Sequence, residues 1–296
     1  YVSTKSSINS DPDADAVRKR IDTSLQRLGV EKINFYHMWC IMDIDHYRRV
    51  MAKGGPYWGA LKAKEEGLID HIVFSTHAPG DEIATMVKEG YFEGVTLGYN
   101  ILNFPYRQEG IQAAYEAGLG VVTMNPLGGG IIPQNEEYFS FIKEREQESV
   151  TQAALRFNAS HQGITVALAG ISSIEDTEHN VRAVEDLQIL TNSKINEIKS
   201  ELRQDMNQLC TTCQYCKHCP QNIDIPKFME LYNLYVLKGE EEIKKGYGNA
   251  LKFNNIKPDN EAMPKDCIEC GLCESLCTQK LDIIERLDWL DQHVTG

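Results

Sequence analysis

The segment GVVTMNPLGGG, residues 120–130, joins a short apolar run to a proline and three glycines. An apolar, β-branched run bounded by turn residues is typical of a buried β-strand that ends in a tight loop. Runs of the same kind recur through the N-terminal two thirds of the chain. The predicted strands cover residues 1–5, 33–39, 71–77, 94–100, 120–127 and 164–171.

Amphipathic stretches separate these strands. The clearest is residues 13–29, which carries Val17, Ile21, Leu25 and Leu28 on one helical face. Alternating strands and helices predict parallel strands joined by crossover helices. Six such βα units are countable, so we expect either an open sheet or a (β/α)8 barrel whose first two units are missing.

Composition excludes several classes of partner. The chain has 296 residues and a net charge of −13, which argues against nucleic acid and anionic membranes as partners. It has no apolar run of membrane-spanning length and no visible secretion signal, so we expect a cytoplasmic protein. The chain begins at Tyr1 and not at Met, so an N-terminal signal could have been lost with a missing segment.

The pattern changes near residue 200. Residues 193–209 read as a last helix, and the sequence that follows is short loops punctuated by cysteine around one helix at 225–239. We therefore predict two domains, an α/β domain at 1–200 and a small helical and loop domain at 201–296.

Eight of the nine cysteines lie in two runs of the second domain. Steps of three residues place three thiolates on one face of a [4Fe–4S] cluster, and in two-cluster ferredoxins the fourth ligand comes from the other run. The spacing therefore predicts a ferredoxin-like domain with two clusters. One cluster is assigned to Cys210, Cys213, Cys216 and Cys277, and the other to Cys267, Cys270, Cys273 and Cys219.

Structural zinc is the alternative, because zinc also binds four cysteines. Zinc sites usually pair two C-x2-C units, in which a third cysteine at the same step has no place. The first run departs from the ferredoxin spacing between Cys216 and Cys219, and Thr278 stands where a proline is usual. His218, within the first run, is either exposed or a donor to a cluster sulfur.

Several segments in order resemble the aldo/keto reductase superfamily, in particular the branch with a C-terminal two-cluster ferredoxin domain. These segments are VSTKS (2–6), FSTH (74–77), GYNIL (98–102), AGLGVVTMNPLGGG (117–130) and AALRFNASHQGITVALAGISSIEDTEHNVRA (153–183). The resemblance implies a (β/α)8 TIM-type barrel that reduces a carbonyl with hydride from a nicotinamide cofactor. It implies a proton-donating tyrosine assisted by lysine, aspartate and histidine.

The resemblance assigns the catalytic lysine to Lys5. The tyrosine and aspartate belong to two βα units that this chain does not contain. The histidine position falls on Trp39, and His37, two residues earlier, points to the same side of the strand. His37 is therefore either a replacement for the missing imidazole or a packed core residue, and His77 is a further candidate at the rim.

The resemblance also implies a nucleotide site, in which Met124 stands where many members stack a tyrosine on the ring. Gly170 and Asp176 replace the basic residues that grip a 2′-phosphate, so NAD(H) is favoured over NADP(H). The predicted cofactor-binding residues are Ser75 and Thr96 on the strands, Pro126, Leu127 and Gly129 of the glycine-rich loop, and Ser172 and Asn180 of the last turn.

The sequence thus predicts an oxidoreductase that acts on a small carbonyl or related substrate, with electrons from a nicotinamide, from two [4Fe–4S] clusters, or from both. The alternative is a non-catalytic barrel that serves as an electron-transfer or scaffold subunit of a larger complex. A small-molecule substrate and a redox partner protein are the expected partners.

Overall fold

The computed structural model of the chain describes residues 1–202, 208–253, 255–258 and 261–295. The chain divides into two compact units: Tyr1–Leu127 with Lys143–Asn192, and Gly128–Ile142 with Ser193–Gly296. The predicted assignment of residues 1–200 and 201–296 to separate domains stays a prediction.

A six-stranded parallel sheet forms the first unit, and its strands follow one another in chain order. They are β1 (Ser3–Ser6), β2 (Ile33–Ile41), β3 (Ile69–Thr76), β4 (Gly94–Gly98), β5 (Gly120–Met124) and β6 (Val166–Ala167). All six predicted strands are confirmed, although the sixth is much shorter than the predicted 164–171. Within the described residues β1 and β6 are the edges, so the strands present form an open sheet.

Helices follow the strands and continue into the second unit. In chain order they are α1 (Ala14–Leu28), α2 (Ile44–Met51), α3 (Pro56–Glu65), α4 (Gly80–Lys88), α5 (Phe104–Glu116), α6 (Ile131–Gln134), α7 (Glu136–Phe139), α8 (Val150–Ala159), α9 (Ile174–Ala183), α10 (Asn192–Glu201), α11 (Ile225–Lys238), α12 (Glu240–Lys252), α13 (Leu272–Ser275) and α14 (Ile283–Leu290). The predicted helix at 193–209 is confirmed as far as Glu201, and residues 203–207 lie outside the described residues.

Local chemistry sets the ends of α1. The Asp13 carboxylate accepts a hydrogen bond from the Ala16 amide at 2.9 Å, and Gly29 ends the helix at a φ of 65°. An acidic N-cap and a left-handed glycine are the usual start and stop of a helix. The predicted apolar face is buried at Val17 and Ile21.

The amphipathic stretch at residues 45–67 forms two helices, α2 and α3. Gly54 between α2 and α3 has a φ of +76°, and Pro56 is the first residue of α3. Proline fits the first turn of a helix, where no amide donor is needed, but it cannot continue a preceding helix. The Gly-Gly-Pro sequence therefore breaks the element.

The two faces of the sheet differ in burial. One face carries Met38, Phe74, Val95 and Val121, which stand in register across four strands and are buried. The opposite face is more open, and Trp39 on it is 37% exposed. Buried apolar residues in register beneath crossover helices form the core of the first unit.

The second unit has a core of its own, built mainly from α11, α14 and the loops before them. Phe228 is buried in this core, and Tyr232 and Tyr235 pack beside it with ring centroids 5.4 and 4.3 Å from that of Trp289. The aromatic set at 228, 232 and 235 thus contributes to a local core.

None of the helices in the described part of the chain is long and apolar enough to cross a membrane.

Candidate functional site

Two neighbouring strands bring Lys5 and His37 side by side. Lys5 of β1 pairs with His37 of β2 in the parallel register, so both side chains leave the same face of the sheet. His37 Nε2 lies 3.0 Å from Ser3 Oγ. The Lys5 ammonium lies 5.2 Å from the centre of the Trp39 ring. The side chain beside the Lys5 ammonium is therefore that of Trp39, which lies two residues after His37 on β2.

Burial and charge keep His37 neutral. Burial, and secondly the positive charge of Lys5, lower the pKa of His37 to about 4. A neutral imidazole can accept a proton from a neighbour or donate a hydrogen bond, but it supplies no positive charge at neutral pH.

We expect His37 to titrate with a midpoint at a pH of about 4. In the unfolded chain the pKa of histidine is about 6.5, so the unfolded state binds this proton more readily. The contribution of His37 therefore destabilises the fold as the pH falls from about 6.5 towards the folded value. A pH titration by NMR of histidine-labelled protein measures the midpoint, and the His37→Gln variant identifies the resonance. A midpoint at the unfolded value would contradict this account.

The predicted nicotinamide residues Ser75 and Thr96 are adjacent on β3 and β4. Ser75 is buried, and its hydroxyl accepts a hydrogen bond from the Cys40 amide at 3.0 Å. Cys40 itself is half-buried, where a fully buried thiol is the usual expectation for a free cysteine. His77, the rim candidate, follows β3 directly, and its carbonyl accepts from Arg107. The serine hydroxyl keeps its own proton free to donate to a ligand.

The glycine-rich loop is divided between the units. Pro126 and Leu127 belong to the first unit and Gly129 to the second. Gly129 has a φ of +71°, and a Cβ at this position would lie 2.2 Å from the carbonyl oxygen of Thr211. This glycine is therefore required by close packing on the first cysteine run, whatever else the loop binds.

The last turn of the predicted nucleotide site is occupied by a side chain of the protein. The Asp176 carboxylate accepts hydrogen bonds from the amides of Ser172 and Ser173 at 2.8 and 3.1 Å, at the start of α9. A helix start attracts phosphate, but here a carboxylate already holds the two amides that directly precede the helix. Asn180, on the same helix, has a buried amide nitrogen without a hydrogen-bond partner. Such an unpaired donor fits an acceptor on a ligand.

Four cysteines from both runs meet in the second unit. Cys210, Cys213, Cys216 and Cys277 line one cavity, although Cys277 lies more than fifty residues from the first run. Thr211 lines the same cavity, and its buried hydroxyl has no hydrogen-bond partner. Cysteine sulfur is the donor type that iron–sulfur clusters use.

Burial changes the pKa of the buried thiols that line this cavity. It raises the pKa of Cys210 and of Cys216 to about 12, and neighbouring thiols of the set add to the increase. Backbone amides oppose it: Thr212 donates to the Cys210 sulfur and Leu281 to the Cys277 sulfur, both at 3.4 Å. Amide donors aimed at sulfur favour the thiolate form, which is the form that binds metal.

The second set is less enclosed. Cys219, Cys267 and Cys273 are half-buried against the core of the second unit, and Cys270 is exposed. Cys273 is near enough to Cys267 for electrostatic interaction, and burial first of all raises its pKa to about 11. The Glu269 amide donates to the Cys267 sulfur at 3.5 Å, as the Thr212 amide does in the first run.

The two runs share one backbone conformation. The residue before the second cysteine has a positive φ in both runs, 49° at Thr212 and 53° at Glu269. The residue after it also has a positive φ, 64° at Gln214 and 73° at Gly271. Non-glycine residues rarely adopt positive φ. Its recurrence at matching positions therefore indicates an internal duplication.

Within the described residues, no three or more His, Cys, Asp or Glu side chains form a group that could hold a metal ion. The four thiols of the first set surround a cavity. His218, which the sequence left as either exposed or a donor to sulfur, is exposed.

No sequence pattern predicts a role for two residues of the second unit. A hydroxyl between cysteines, as at Thr211, has no distinctive pattern. Arg286, a buried cation on α14, could have been found by aligning the sequence after Cys219 with that after Cys277.

A parallel sheet with a lysine and a histidine on adjacent strands defines an α/β protein whose sites are expected at the ends of its strands. The model of the aldo/keto reductase family matches residues 1–202. The chain belongs to the aldo/keto reductase family.

Individual relatives are distant. The chain is 25% identical over 206 residues to L-galactose dehydrogenase of Arabidopsis thaliana, covering 60% of each protein. It is 23% identical over 171 residues to an uncharacterized oxidoreductase of Schizosaccharomyces pombe, covering 56% of this chain and 52% of that one. The chain therefore spans less than two thirds of the length of these relatives.

Among solved structures, the holo form of an aldo-keto reductase from Bacillus halodurans matches with a TM-score of 0.55 and 22% identity. The match covers 68% of this chain and 71% of that one. A putative 2,5-diketo-D-gluconic acid reductase B matches with a TM-score of 0.53 and 17% identity, over 69% and 68%. At these identities the likeness concerns the fold alone.

Proposed function

We propose that the protein is an iron–sulfur oxidoreductase of the aldo/keto reductase family, with two [4Fe–4S] clusters in its second unit. The observation that carries this proposal is the single cavity lined by Cys210, Cys213, Cys216 and Cys277. Three of these ligands come from one run and the fourth from the other, which is the exchange typical of two-cluster ferredoxins.

The second cluster is assigned to Cys267, Cys270, Cys273 and Cys219. The shared positive φ values of the two runs support this assignment, because a duplicated loop with the same backbone presents its thiols in the same way. The matching amide donors to Cys210 and Cys267 support it further.

The first unit is proposed to reduce a small carbonyl compound. When bound, NADH would supply the hydride to the carbonyl carbon, water would supply the proton to its oxygen, and the clusters would exchange single electrons. Lys5 offers a positive charge on the open face of the sheet, which stabilises negative charge that develops on a carbonyl oxygen. His37 remains neutral and orients the substrate by hydrogen bonding. The proposed cofactor residues of the first unit are Ser75, Thr96, Pro126, Leu127, Ser172 and Asn180, whereas Gly129 lies in the second unit.

Hydride and single-electron chemistry do not couple directly. A link between them needs a group that splits an electron pair, such as a flavin, and the sequence carries no specific flavin signature. The clusters are therefore proposed to serve a redox partner protein, which gives or takes their electrons.

Anaerobically purified protein tests the reductase proposal. We expect it to bind NADH and to oxidise it in the presence of small carbonyl compounds, and the Lys5→Met variant to lose most of this activity while still binding NADH. Lys32→Met, at a surface ion pair with Asp70, is the matched control. Absence of binding to NADH and NADPH would defeat the proposal.

A non-catalytic barrel is the second candidate, and the contact between Lys5 and Trp39 favours it. An ammonium held over an aromatic ring is drawn away from a substrate oxygen. In that case the protein is an electron-transfer subunit. It would hold both clusters and exchange electrons with a redox dye, but it would show no carbonyl-dependent oxidation of NADH.

Asp176 is expected to make the protein prefer NADH to NADPH. Its carboxylate lies on the amides of the last turn and repels a 2′-phosphate. Asp176→Asn keeps a hydrogen-bond acceptor but removes the charge, which at a surface site contributes about 1 kcal/mol, or roughly fivefold in affinity. Calorimetric binding of both nucleotides measures the change. Asp13→Asn, at the N-cap of α1, is the control, and tighter binding of NADPH by the unaltered protein would contradict the account.

A further inference from the structure

Arg286 is a buried cation in the second unit. It lies on α14, and only 4% of it is exposed. Its guanidinium donates to the backbone oxygen of Gln208 at 2.8 Å and to the side-chain oxygen of Gln208 at 3.2 Å. It also stacks over the Tyr232 ring, 4.8 Å from its centre. All these partners are formally neutral.

No carboxylate forms an ion pair with Arg286 within the described residues. The charged or ionisable groups near enough to act on it are Tyr232, Asp282, Cys277 and Cys210. Asp282 acts on Arg286 without forming an ion pair with it in the described residues, and a buried charge that no counter-charge contacts is strongly destabilising. Two of these neighbours, Cys277 and Cys210, are proposed ligands of the first cluster, and a thiolate-ligated cluster is an anion.

The duplication extends beyond the cysteines. Three residues after the last cysteine of each run, Asn222 and Lys280 have φ values of 60° and 54°. Two residues further, Asp224 and Asp282 begin helices α11 and α14 with the same φ of −76° and with ψ of 74° and 72°. The two helices are therefore equivalent elements of the two halves.

The equivalent helices α11 and α14 differ in the residue at one matching buried position. Six residues after Asn222 stands Phe228, and six residues after Lys280 stands Arg286. Both side chains are buried. An apolar ring in one half is thus the counterpart of the Arg286 cation in the other half.

We infer that Arg286 is the counter-charge of the cluster held by Cys210, Cys213, Cys216 and Cys277, and that it raises the reduction potential of that cluster alone. The inference rests on the proposed function. Reduction adds one negative charge to a cluster, and a nearby fixed cation favours the more negative state. Because Phe228 carries no charge, the other cluster lacks this effect, and the cation distinguishes two otherwise duplicated sites.

The test compares Arg286→Gln, which keeps hydrogen-bond donors and removes the charge, with Arg286→Lys, which keeps the charge. Redox titration followed by EPR measures both clusters in the full chain, and the Cys277→Ala variant identifies which signal belongs to the first one. We expect Arg286→Gln to lower the reduction potential of the first cluster by about 59 mV. This corresponds to an approximately tenfold change, in favour of the second cluster, in the equilibrium constant for one electron shared between the two. Arg286→Lys should stay near the unaltered protein, as should the exposed Lys252→Gln.

Loss of the first cluster in Arg286→Gln with retention in Arg286→Lys also supports the inference, because charge is then needed for assembly. Equal loss in both variants overturns it, since the hydrogen bonds to Gln208 would then matter and the charge would not. Unchanged potentials, or equal shifts of both clusters, overturn it as well. If the unaltered protein holds no iron and sulfide, the proposed function fails first, which the metal analysis reveals before any variant is made.

Discussion

Replacing Cys277 by alanine is expected to abolish the cluster whose other three ligands lie more than fifty residues earlier, and to leave the second cluster intact. The buried Cys277 thiol closes the cavity formed with Cys210, Cys213 and Cys216. A cluster that loses one of four thiolates is left with an open iron. Iron and acid-labile sulfide should therefore fall from about eight to about four atoms each per chain.

Thiol labelling shows which cysteines lose their metal. Once Cys277 is replaced, Cys210, Cys213 and Cys216 should become open to alkylation, and Cys267, Cys270 and Cys273 should stay protected. The opposite pattern would mean that each run holds its own cluster, and would contradict the exchange of ligands. Cys219→Ala should give the reciprocal result, and Cys40→Ala, in the first unit, should change neither count.

Replacing Gly129 by alanine is expected to destabilise the second unit strongly. The added Cβ would lie 2.2 Å from the Thr211 carbonyl oxygen, at a φ of +71°. A left-handed backbone costs a non-glycine residue about 1–2 kcal/mol, and forced overpacking costs roughly 1–3 kcal/mol more. Thermal unfolding followed by circular dichroism, which reports on both units, measures the change in the free energy of unfolding.

Gly118→Ala is the matched control for the backbone term. Gly118 has a φ of +73° and open space around the position of a Cβ. Gly118→Ala should therefore lose only the stability that the left-handed backbone costs. If Gly129→Ala instead weakened nucleotide binding while the second unit kept its stability, the glycine would serve a pyrophosphate cradle. That result would contradict the packing role.

The strands were predictable because apolar runs between turn residues depend on local sequence. Residues 164–171 satisfied the same pattern, yet only Val166 and Ala167 pair with β5. Strand length depends on the neighbouring strand, which the sequence of one segment does not encode. Gly54 and Pro56 indicate the end of one helix and the start of the next. The amphipathic pattern alone does not show this break, because apolar residues recur on both sides of it.

Side-chain neighbours were less predictable than strands. The period of two placed His37 and Trp39 on one side of β2, and the observed register puts Lys5 beside them. The Lys5 ammonium contacts Trp39, and the His37 imidazole contacts Ser3. These contacts depend on side-chain rotamers and on strand pairing between distant segments. The cysteine assignment was more accessible, because three thiols at fixed steps constrain where the fourth must come from, and both sets of four stand as predictions.

The central claim, two [4Fe–4S] clusters in the second unit, is tested most directly by analysing anaerobically purified protein for iron, acid-labile sulfide and zinc, together with its Mössbauer spectrum. We expect about eight iron and about eight sulfide atoms per chain, with the spectrum of [4Fe–4S] clusters. Stoichiometric zinc without sulfide would instead identify a structural zinc protein and contradict the account.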